Sequence, residues 1–422
     1  MALSTIEEAI EAVRVGKMVV VVDDEDRENE GDLIMAAEFV TPEAISFFLN
    51  YTSGLICAPL RGERLDELNI PLMVQDNTES QRTAFTVSVD YLKGTTTGIS
   101  ADDRSATIKA LVDPNTTPSH FARPGHIFPL RYREGGVLKR GGHTEAAVDL
   151  AVLAGLYPAG VLCEIITEDK RKMARLEELT RFAKNHDLPI ISIADLIRYR
   201  KRTDKLVRKV EGAVARIPTI FGDFTCIGYE SVLDGEQHVV MIKGAIDPDK
   251  PTLVRVHSEC LTGDVFGSLR CDCGPQLEAA LEEISKEGSG IVVYLRGHEG
   301  RGIGIGHKLR AYSLQENGSD TVDANVELGL PVDSREYGIG AQILVDVGVR
   351  SMKLMTNNPA KYGGLEGFGL NIVERVPLRP RVNPENLTYL RTKRDRMGHL
   401  LDGLEEYEAK YDKKDDGDSK GV

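Results

Sequence analysis

Three of the six cysteines, Cys260, Cys271 and Cys273, fall within fourteen positions of one another. This close spacing favours three thiolates that converge on one soft, tetrahedral ion such as Zn²⁺. His257 is the only other nearby candidate ligand. If His257 does not bind the ion, the site lacks a fourth protein ligand, which is typical of a catalytic zinc. The competing interpretation is a set of reduced core cysteines, which are common and inert.

The composition excludes several functional classes. The chain has 422 residues, enough for two or three domains, and its net charge of −14 argues against broad binding to nucleic acids or anionic membranes. Its opening residues lack the basic and apolar regions of a leader peptide, and no apolar run of about 18 residues occurs. We therefore expect a soluble, cytoplasmic protein that acts on small molecules, with no nucleic-acid partner and no membrane contact.

The first half of the chain contains a dense acidic segment. Seven carboxylates occur in the ten residues from Asp23 to Asp32, between the apolar runs MVVVV and LIMAAEFV. A solvated loop is the simplest interpretation of such a charge run. Its position between two predicted strands instead favours a loop that binds a divalent cation and substrate, because hard carboxylate oxygens suit Mg²⁺.

Other polar residues of this half stand at element boundaries or inside apolar runs. A helix capped by Ser4 and Glu7 is predicted to open the chain. His126 falls in a Pro/Gly turn, and the turn Arg140–Thr144 precedes an apolar helix. Glu164 lies in the strand VLCEIIT, where an unpaired buried carboxylate would cost several kcal/mol. Carboxylates of this kind cluster at active sites.

A basic run, from Arg198 to Lys209, separates the two halves. It has no core-forming periodicity, which favours a junction over a domain segment; a nucleic-acid-binding arm is the alternative. Further on, the turn Cys271–Cys273 is predicted to lead into a helix N-terminus, where thiolates are favoured. The charged end of the chain is poor in apolar residues and is predicted to be a disordered tail.

A glycine-rich segment, His298 to Arg310, follows the apolar strand IVVYLRG. Its glycine order, and the lack of a following βαβ unit, exclude a dinucleotide-binding fingerprint. The segment is better explained as a phosphate clamp made of backbone amides and a guanidinium, with a flexible connection as the alternative. Asp333 and Arg335 flank one loop residue, which allows both to face one pocket.

Longer motifs resemble two known enzyme families. The segments DDEDRENEGDLI, GTTTGISADDRSATI, RPGHIFPLR and RGGHTEAAVDLA together resemble 3,4-dihydroxy-2-butanone 4-phosphate synthase. The segments HSECLTGDVFGSLRCDCGPQL, YLRGHEGRGIGIGHKLRAY, VDSREYGIGAQIL and TNNPAKYGGLEGFG resemble GTP cyclohydrolase II. In this order on one chain, they resemble the bifunctional enzymes of riboflavin biosynthesis.

For the first half, the resemblance implies conversion of ribulose 5-phosphate to formate and 3,4-dihydroxy-2-butanone 4-phosphate, with Mg²⁺ (or Mn²⁺) as cofactor. It implies that Glu28 and His143 hold the metal and that His126 and Glu164 are catalytic. These roles suit the chemistry, because enolising a ketose requires a base and a cation that polarises the carbonyl. The implied sugar-phosphate contacts are Arg27, Glu28, Asp32, Arg140, Gly141, Gly142, His143, Thr144 and Glu164.

For the second half, the resemblance implies that the imidazole ring of GTP is opened, with release of formate and pyrophosphate and formation of 2,5-diamino-6-(5-phosphoribosylamino)pyrimidin-4-one. It implies Asp333 as proton acceptor, Tyr312 as a supporting catalytic residue and Arg335 as a nucleophile, although charge stabilisation suits a permanently protonated guanidinium better. The implied zinc ligands are Cys260, Cys271 and Cys273. The implied GTP contacts are Arg255, Val256, His257, Ser258, Glu259, Gln276, Glu299, Gly300, Arg301, Thr321, Thr356 and Lys361.

The expected fold class is α+β with mixed α/β layers, in two domains that each consist of a mixed sheet packed with helices. The expected boundaries are a synthase domain at 1–200, a linker at 201–212, a cyclohydrolase domain at 213–400 and a charged tail at 401–422. The family resemblance implies a homodimer. Two alternatives stay open: one half is active while the other is structural, or the chain is a zinc-dependent nucleic-acid binder, which would need a fourth ligand and a basic face.

Overall fold

The computed structural model describes residues 3–24, 27–316, 337–358, 368–401 and 403–408. The chain divides into two compact units, Met1–Thr203 and Asp204–Val422. Within the described residues, each unit contains a seven-stranded sheet with helices packed against it. The predicted α+β class, with a mixed sheet in each half, is therefore confirmed.

The sheet of the first unit contains parallel and antiparallel pairs. Its strands are β1 Val19–Val22, β2 Gly31–Ala36, β3 Cys57–Leu60, β4 Val89–Tyr91, β5 Phe121–Arg131, β6 Gly160–Glu164 and β7 Ile190–Ser192. Their order is β4–β5–β3–β6–β2–β1–β7. Strand β1 is antiparallel to β2 and parallel to β7, and β3 is parallel to β5.

Both faces of this sheet are buried. The described helices of the unit are α1 Ile6–Arg14, α2 Pro42–Tyr51, α3 Gly62–Glu67, α4 Ala101–Val112, α5 His143–Leu153, α6 Leu176–Asn185 and α7 Ile193–Thr203. Val20 and Leu33 pack with residues of α2, α4 and α6, whereas Val19 and Ile34 pack with residues of α1, α5 and α7. Burial on both faces explains why the valine run is continuously apolar rather than alternating.

Helix α1 begins one residue later than predicted. Thr5 is its N-cap and forms a capping box with Glu8, whereas the sequence favoured Ser4 with Glu7. Ser4 instead belongs to the sheet edge, because its N–H donates to the Ile190 carbonyl at 2.8 Å and its hydroxyl accepts from the Ile190 N–H at 3.2 Å. Two hydroxyl residues in succession, each with a glutamate three positions later, satisfy the same pattern, so only the sheet contact distinguishes them.

In the second unit, an antiparallel half of the sheet adjoins a parallel half. The strands are β8 Val207–Thr219, β9 Gly222–Ser231, β10 Gln237–Lys243, β11 Thr252–Ser258, β12 Gly290–Leu295, β13 Ser351–Met355 and β14 Asn371–Val376. Their order is β14–β13–β11–β12–β10–β9–β8. Strands β8, β9, β10 and β12 pair antiparallel, whereas β12, β11, β13 and β14 pair parallel. The segments that follow β11, β12 and β13 therefore meet at one edge of the sheet.

Helices cover both faces of this second sheet. Those that the structure describes are α8 Leu261–Asp264, α9 Cys273–Glu287, α10 Glu299–Gly302, α11 Ile305–Glu316, α12 Gly338–Asp346 and α13 Leu387–Met397. Ala280 and Ile284 of α9 pack with Val292 of β12. Ala341 and Leu344 of α12 belong to a separate cluster on the other face.

The predicted linker, residues 201–212, is mostly regular structure. It contains the end of α7 at Thr203 and the start of β8 at Val207, and Val207 is buried. The basic residues of this stretch lie on exposed faces of these elements, which is why the charge run lacks an obvious apolar period. Among the described helices, none combines the length and the apolar content that crossing a membrane requires.

The first residues of the predicted disordered tail are packed. Leu401 and Leu404 are buried against Leu387 and Leu390 of α13, and residues 404–408 are helical. The prediction of disorder is therefore wrong for this part, because two leucines among the charges suffice to dock it on α13. Residues 402 and 409–422 of the tail lie outside the described residues.

Candidate metal centres and substrate pockets

Three ligand-type side chains of the first unit converge at the acidic loop. Asp23 follows β1, Glu28 lies in the loop, and His143 is the first residue of α5. One ligand atom of each lies within 4.8 Å of the others. Two carboxylates and an imidazole fit a divalent cation such as Mg²⁺ or Mn²⁺. The structure thus brings together the predicted ligands Glu28 and His143 and adds Asp23.

A backbone contact fixes the ring of His143. Its Nε2 lies 3.1 Å from the Val21 carbonyl oxygen, which only accepts, so Nε2 donates and Nδ1 faces the carboxylates. Nδ1 lies 3.7 Å from Glu28 Oε2 and 3.8 Å from Asp32 Oδ1. Burial lowers the pKa of His143, but the charge of Asp32 and the contact with Glu28 raise it to about 9. These carboxylates therefore favour a cation beside them, whether an imidazolium or a metal ion.

Asp32, the second residue of β2, is buried beside this cluster. Burial raises the pKa of Asp32 to about 8, although the charge of His143 opposes the shift. Its Oδ1 has no hydrogen-bond partner among the residues that the structure describes. A buried oxygen without a donor is costly, and a bound cation or a substrate hydroxyl would satisfy it.

Asp23 also holds the acidic loop in shape. Its carboxylate accepts from the N–H of Glu28 at 3.1 Å and from the N–H of Glu30 at 2.8 Å. The guanidinium of Arg27 lies 2.9 Å from Asp23 Oδ2 and from Glu28 Oε2. The predicted substrate contact Arg27 is therefore held at the cluster by two carboxylates. Residues 25 and 26 of the loop lie outside the described residues.

Glu164 ends β6, directly opposite Asp32 in the register of the sheet. Its Oε2 accepts from the Ser53 hydroxyl at 2.7 Å, and the side chain is only half-buried. The cost of an unpaired buried carboxylate is avoided, because the serine and solvent supply partners. Glu164 and Asp32 therefore face each other at the same end of neighbouring strands.

His126 lies inside β5 rather than in a Pro/Gly turn. The strand continues because its pairing with β4 shifts register between Val89 and Asp90. Gly125 permits the close approach, since a Cβ there would lie 2.0 Å from the Val89 backbone. Asp90 accepts from the His126 N–H at 2.8 Å, and its other oxygen lies 2.7 Å from Nδ1 of the ring. Asp90, which is not among the predicted site residues, therefore orients the His126 imidazole.

The turn Arg140–Thr144 leads into α5, as predicted, with Gly142 as the N-cap. Arg140 donates to Glu145 Oε2 at 2.7 Å and to Thr83 Oγ1 at 2.9 Å. The first amides of a helix lack helical partners and favour an anion. Because His143 belongs both to this turn and to the carboxylate cluster, an anion at the helix start would lie next to the metal-type ligands.

The three predicted zinc ligands converge in the second unit. Cys260 follows β11, Cys271 precedes α9, and Cys273 begins α9. Their sulfurs lie within 4.8 Å of one another, with 3.7 Å between those of Cys260 and Cys271. Gly263 permits this packing, since a Cβ there would lie 2.7 Å from Cys271 Sγ. Three sulfur ligands at these separations fit Zn²⁺.

One thiol of this cluster is the strongest acid. Hydrogen bonds from Cys271 and Cys273 lower the pKa of Cys260. The contact with Cys260 in turn raises the pKa of Cys271 to about 11, and the same kind of contact raises the pKa of Cys273. The cluster is therefore built to hold negative charge, which a divalent cation would neutralise.

Lys308, on α11, adds a positive charge to this cluster. Its Nζ lies 3.1 Å from Cys260 Sγ, 2.8 Å from Thr262 Oγ1 and 2.5 Å from Glu299 Oε1. It also lies 5.7 Å from the centre of the Tyr312 ring. Lys308 is not among the predicted site residues, because a lysine in a helix usually faces solvent. The only sequence signal for Lys308 is its position within the glycine-rich segment His298 to Arg310.

His257, the predicted candidate for a fourth zinc ligand, lies outside the cluster of sulfurs. Its Nε2 lies 3.1 Å from both oxygens of Asp264, and its ring stacks on Tyr294. Asp264 also accepts from the Cys260 N–H at 3.0 Å and from the Tyr294 hydroxyl at 2.8 Å. His257 therefore supports the loop of the first cysteine, and the described cluster comprises three sulfurs.

A pocket opens beside the sulfur cluster, at the carboxyl ends of β11, β12 and β13. It is lined by the cysteines and by most of the described predicted GTP contacts and catalytic residues: Arg255, His257, Ser258, Glu259, Gln276, Gly300, Arg301, Tyr312 and Thr356. Two further predicted GTP contacts, Val256 and Glu299, do not belong to the pocket lining. Val256 packs in the apolar core, and Glu299 accepts from the Leu261 N–H at 2.6 Å and from Lys308.

The glycine-rich segment forms a tight loop at this pocket. Gly300 and Arg301 have φ angles of 58° and 66°, a conformation that costs a non-glycine residue about 1 kcal/mol or more. The left-handed turn places Arg301 in the lining. The predicted residues Thr321, Asp333, Arg335 and Lys361 lie outside the described residues.

Comparisons with known proteins agree with the division into two halves. The sequence model of the family described as 3,4-dihydroxy-2-butanone 4-phosphate synthase matches residues 7–199. The model described as GTP cyclohydrolase II matches residues 209–377.

Similar proteins cover almost the whole chain. The probable bifunctional riboflavin biosynthesis protein RIBA 2, chloroplastic, of Oryza sativa subsp. japonica is 62% identical over 410 residues, which are 97% of this chain and 73% of that protein. The riboflavin biosynthesis protein RibBA of Nocardia farcinica is 61% identical over 403 residues, 95% of this chain and 97% of that protein. Among solved structures, RibBX of A. baumannii, a two domain 3,4-dihydroxy-2-butanone 4-phosphate synthase, matches with a TM-score of 0.65 and 38% identity, over 88% of this chain and 99% of that one.

Proposed function

The chain belongs to the family of bifunctional riboflavin-biosynthesis proteins that join a 3,4-dihydroxy-2-butanone 4-phosphate synthase to a GTP cyclohydrolase II, and from this premise we propose which residues carry each reaction. The synthase reaction belongs to the first half and the cyclohydrolase reaction to the second. We propose residues 1–200 and 213–400 as the two catalytic domains, a division supported by the compact units Met1–Thr203 and Asp204–Val422.

In the first half, ribulose 5-phosphate yields formate and 3,4-dihydroxy-2-butanone 4-phosphate. Asp23, Glu28 and His143 would hold Mg²⁺ or Mn²⁺, which supplies polarisation of the sugar carbonyl when bound. His126 and Glu164 exchange protons with the sugar carbons, and Asp90 and Ser53 respectively hold them in place. The observation that supports this assignment is that each acid–base group has a dedicated hydrogen-bond partner at 2.7 Å.

Binding of the sugar phosphate follows from the charges around this cluster. The start of α5, with Arg140 and the glycines of its turn, offers amides and a guanidinium to the phosphate group. Arg27 and the buried oxygen of Asp32 face the hydroxyl end of the substrate. A ketose phosphate has an anion at one end and hydroxyls at the other, which matches this polarity.

In the second half, GTP loses C8 as formate and releases pyrophosphate. Cys260, Cys271 and Cys273 would hold Zn²⁺, which supplies Lewis acidity when bound. Arg255 and Arg301 neutralise phosphate oxygens at the edge of the sheet, and Tyr312 is a supporting catalytic residue whose hydroxyl lies 3.4 Å from Thr262 Oγ1. We assign proton acceptance to Asp333 and charge stabilisation to Arg335. The opening of the sulfur cluster into a pocket lined by predicted GTP contacts supports this assignment.

We propose that both halves are active, rather than one half being structural. Each half retains a cluster of metal-type ligands and charged groups beside it. The assay uses the purified full chain with ribulose 5-phosphate and Mg²⁺, or with GTP and Zn²⁺, and measures formate together with the organic product. Formate from both substrates is expected. A protein with full zinc loading that releases no formate from GTP would contradict the cyclohydrolase assignment, and the corresponding failure with the sugar would contradict the synthase assignment.

We also propose that the protein acts as a homodimer in the cytoplasm, on small molecules alone. Light scattering on the purified protein should give twice the mass of the chain, and a monomer would contradict the dimer. Fractionation of the source cells should place both activities in the cytoplasmic fraction. Activity recovered only in an organelle or membrane fraction would contradict that location.

A further inference from the structure

Helix α13 lies beyond the segment that the cyclohydrolase model matches, which ends at residue 377. Nevertheless it contributes Tyr389, Lys393 and Met397 to the lining of the pocket that contains the three cysteines. The predicted GTP contacts include no residue of this helix. α13 therefore forms a wall of the pocket whose role the assigned chemistry leaves open.

Lys393 reaches from this wall into the zinc-ligand segment. Its Nζ lies 2.8 Å from Asp272 Oδ1, and the two side chains are only 11% and 0% exposed. Asp272 stands between Cys271 and Cys273 and is the N-cap of α9. A fully buried carboxylate beside two thiols requires a compensating cation. Lys393 supplies it, although the two residues are 121 positions apart in the chain.

The same carboxylate continues a hydrogen-bonded chain to the substrate pocket. Asp272 Oδ2 accepts from Gln276 Nε2 at 2.5 Å, and Gln276 Oε1 accepts from the Arg255 guanidinium at 2.6 Å. Arg255 also donates to the Met355 carbonyl at 3.0 Å. Because the Gln276 amide has its nitrogen toward Asp272 and its oxygen toward Arg255, a shift of Asp272 would move both predicted GTP contacts.

A second attachment holds the other end of α13. The Leu400 N–H donates to the Asn357 carbonyl at 2.8 Å. The Asn357 side chain in turn bonds both the carbonyl of Leu378, at 2.6 Å, and its N–H, at 3.0 Å. The helix is thus fixed at the end of β13 independently of Lys393, so loss of the lysine alone should leave the segment docked.

We propose that Lys393 is a positioning residue for the GTP reaction, whose ion pair with Asp272 fixes Gln276 and Arg255 and completes the pocket wall formed by α13. This inference rests on the proposed GTP site. Lys393 acts through Asp272 and not on the ring that is opened. Its loss should therefore weaken GTP binding more than it slows the chemical step.

The test compares four variants of the full chain. Lys393→Met removes the positive charge from a side chain of similar size, and Lys393→Arg keeps that charge. Asp272→Asn breaks the ion pair by removing the negative charge instead. Lys286→Met is a control at the exposed end of α9. Steady-state kinetics with GTP, zinc content, and amide exchange of α13 and of residues 272–276 are measured for each. Formate release from ribulose 5-phosphate reports whether each variant is otherwise intact.

We expect Lys393→Met and Asp272→Asn to raise KM for GTP about tenfold with kcat changed less than about threefold. In these two variants, amide exchange of residues 272–276 should become faster. Lys393→Arg should recover most of the affinity for GTP, and Lys286→Met should match the wild type. An unchanged KM in either pair-breaking variant overturns the inference, as does a loss confined to kcat. If Lys393→Met loses its zinc, the change in KM for GTP of Asp272→Asn decides the test. A wild-type protein inactive on GTP would instead contradict the proposed function itself.

Discussion

The two candidate metal centres differ in how their ligands are held. In the second unit Cys260 is the N-cap of α8, Cys271 precedes α9 and Cys273 begins α9, so all three are near neighbours in sequence. In the first unit two carboxylates come from a loop, and the imidazole comes from a helix far along the chain. The sulfur site is therefore local and preformed, whereas the carboxylate site depends on the tertiary fold of its unit.

The charged and polar groups around the two clusters of ligands also differ. Lys308 places a cation 3.1 Å from a cysteine sulfur, which matches a ligand set that carries excess negative charge. Among the described residues, the carboxylate site has an Asp32 oxygen without a hydrogen-bond partner and a half-exposed Glu28. Thiolate sites hold zinc tightly, whereas oxygen sites exchange Mg²⁺ readily with water. A cation at the sulfur cluster would therefore be held more tightly than one at the carboxylate cluster.

The strongest way to break this comparison is to remove one sulfur. Cys271→Ser should lower GTP turnover by at least about a thousandfold, because a three-ligand zinc site reduced to two sulfurs does not hold the ion in place. Formate release from ribulose 5-phosphate should be unchanged. Cys226→Ser, at a half-buried cysteine of β9 outside the cluster, is the matched control. Loss of both activities in Cys271→Ser would mean that the two centres are not independent.

The first unit is tested through the residue that orients His126, its proposed acid–base histidine. Asp90→Asn leaves His126 in place but weakens the contact at 2.7 Å, so kcat of the sugar reaction should fall about tenfold to a hundredfold with little change in KM. GTP turnover of the same variant is the internal control. The matched control variant is Asp102→Asn, which changes an exposed aspartate of α4. A rise in KM alone would show that Asp90 serves binding and not proton transfer.

A smaller effect is expected where the second centre holds its cation. Lys308→Met removes the hydrogen bond that orients the Cys260 sulfur, which should speed zinc release to a coloured chelator about tenfold. Lys243→Met is the control, because Lys243 bonds Ser285 and the Phe221 carbonyl and touches no cysteine. Equal release rates in the two variants would show that the sulfurs alone set the affinity and that Lys308 has another role.

Local spacing explains which parts of the sites the sequence predicted. The three cysteines are identifiable because their separation is short and their ligand type is specific. Asp90 and Lys393 were missed, because each acts through a partner that is distant in the chain, His126 and Asp272 respectively. The residue pattern within one segment cannot indicate a contact with a residue that is distant in the chain. The role of His143 likewise came from the family resemblance and not from the residues around it.

Strand geometry explains a further difference. The resemblance implied that five consecutive residues, Arg255 to Glu259, contact GTP, but the side chains of β11 alternate between the two faces of the sheet. Arg255 and His257 line the pocket, while Val256 lies in the apolar core. An alternating pattern was visible in the sequence. The side chain of Val256 is therefore absent from the pocket lining.

The smallest predicted effect distinguishes the two units by their response to acid. Burial lowers the pKa of His238 below its ordinary value of 6.5, and its Nδ1 accepts from the Arg296 N–H at 3.2 Å. The folded second unit therefore prefers neutral His238. Its contribution to stability is full above the unfolded pKa and is lost as pH falls through that value toward the lower folded one.

Calorimetry between about pH 7.5 and about pH 5.5 checks this prediction. The transition of the second unit, identified by its shift on zinc removal, should drop by a few degrees more in the wild type than in His238→Gln. The first unit's transition should be the same in both proteins, because His238 lies in β10 of the second unit. Equal drops in the wild type and the variant would show that groups other than His238 govern the acid response of the second unit.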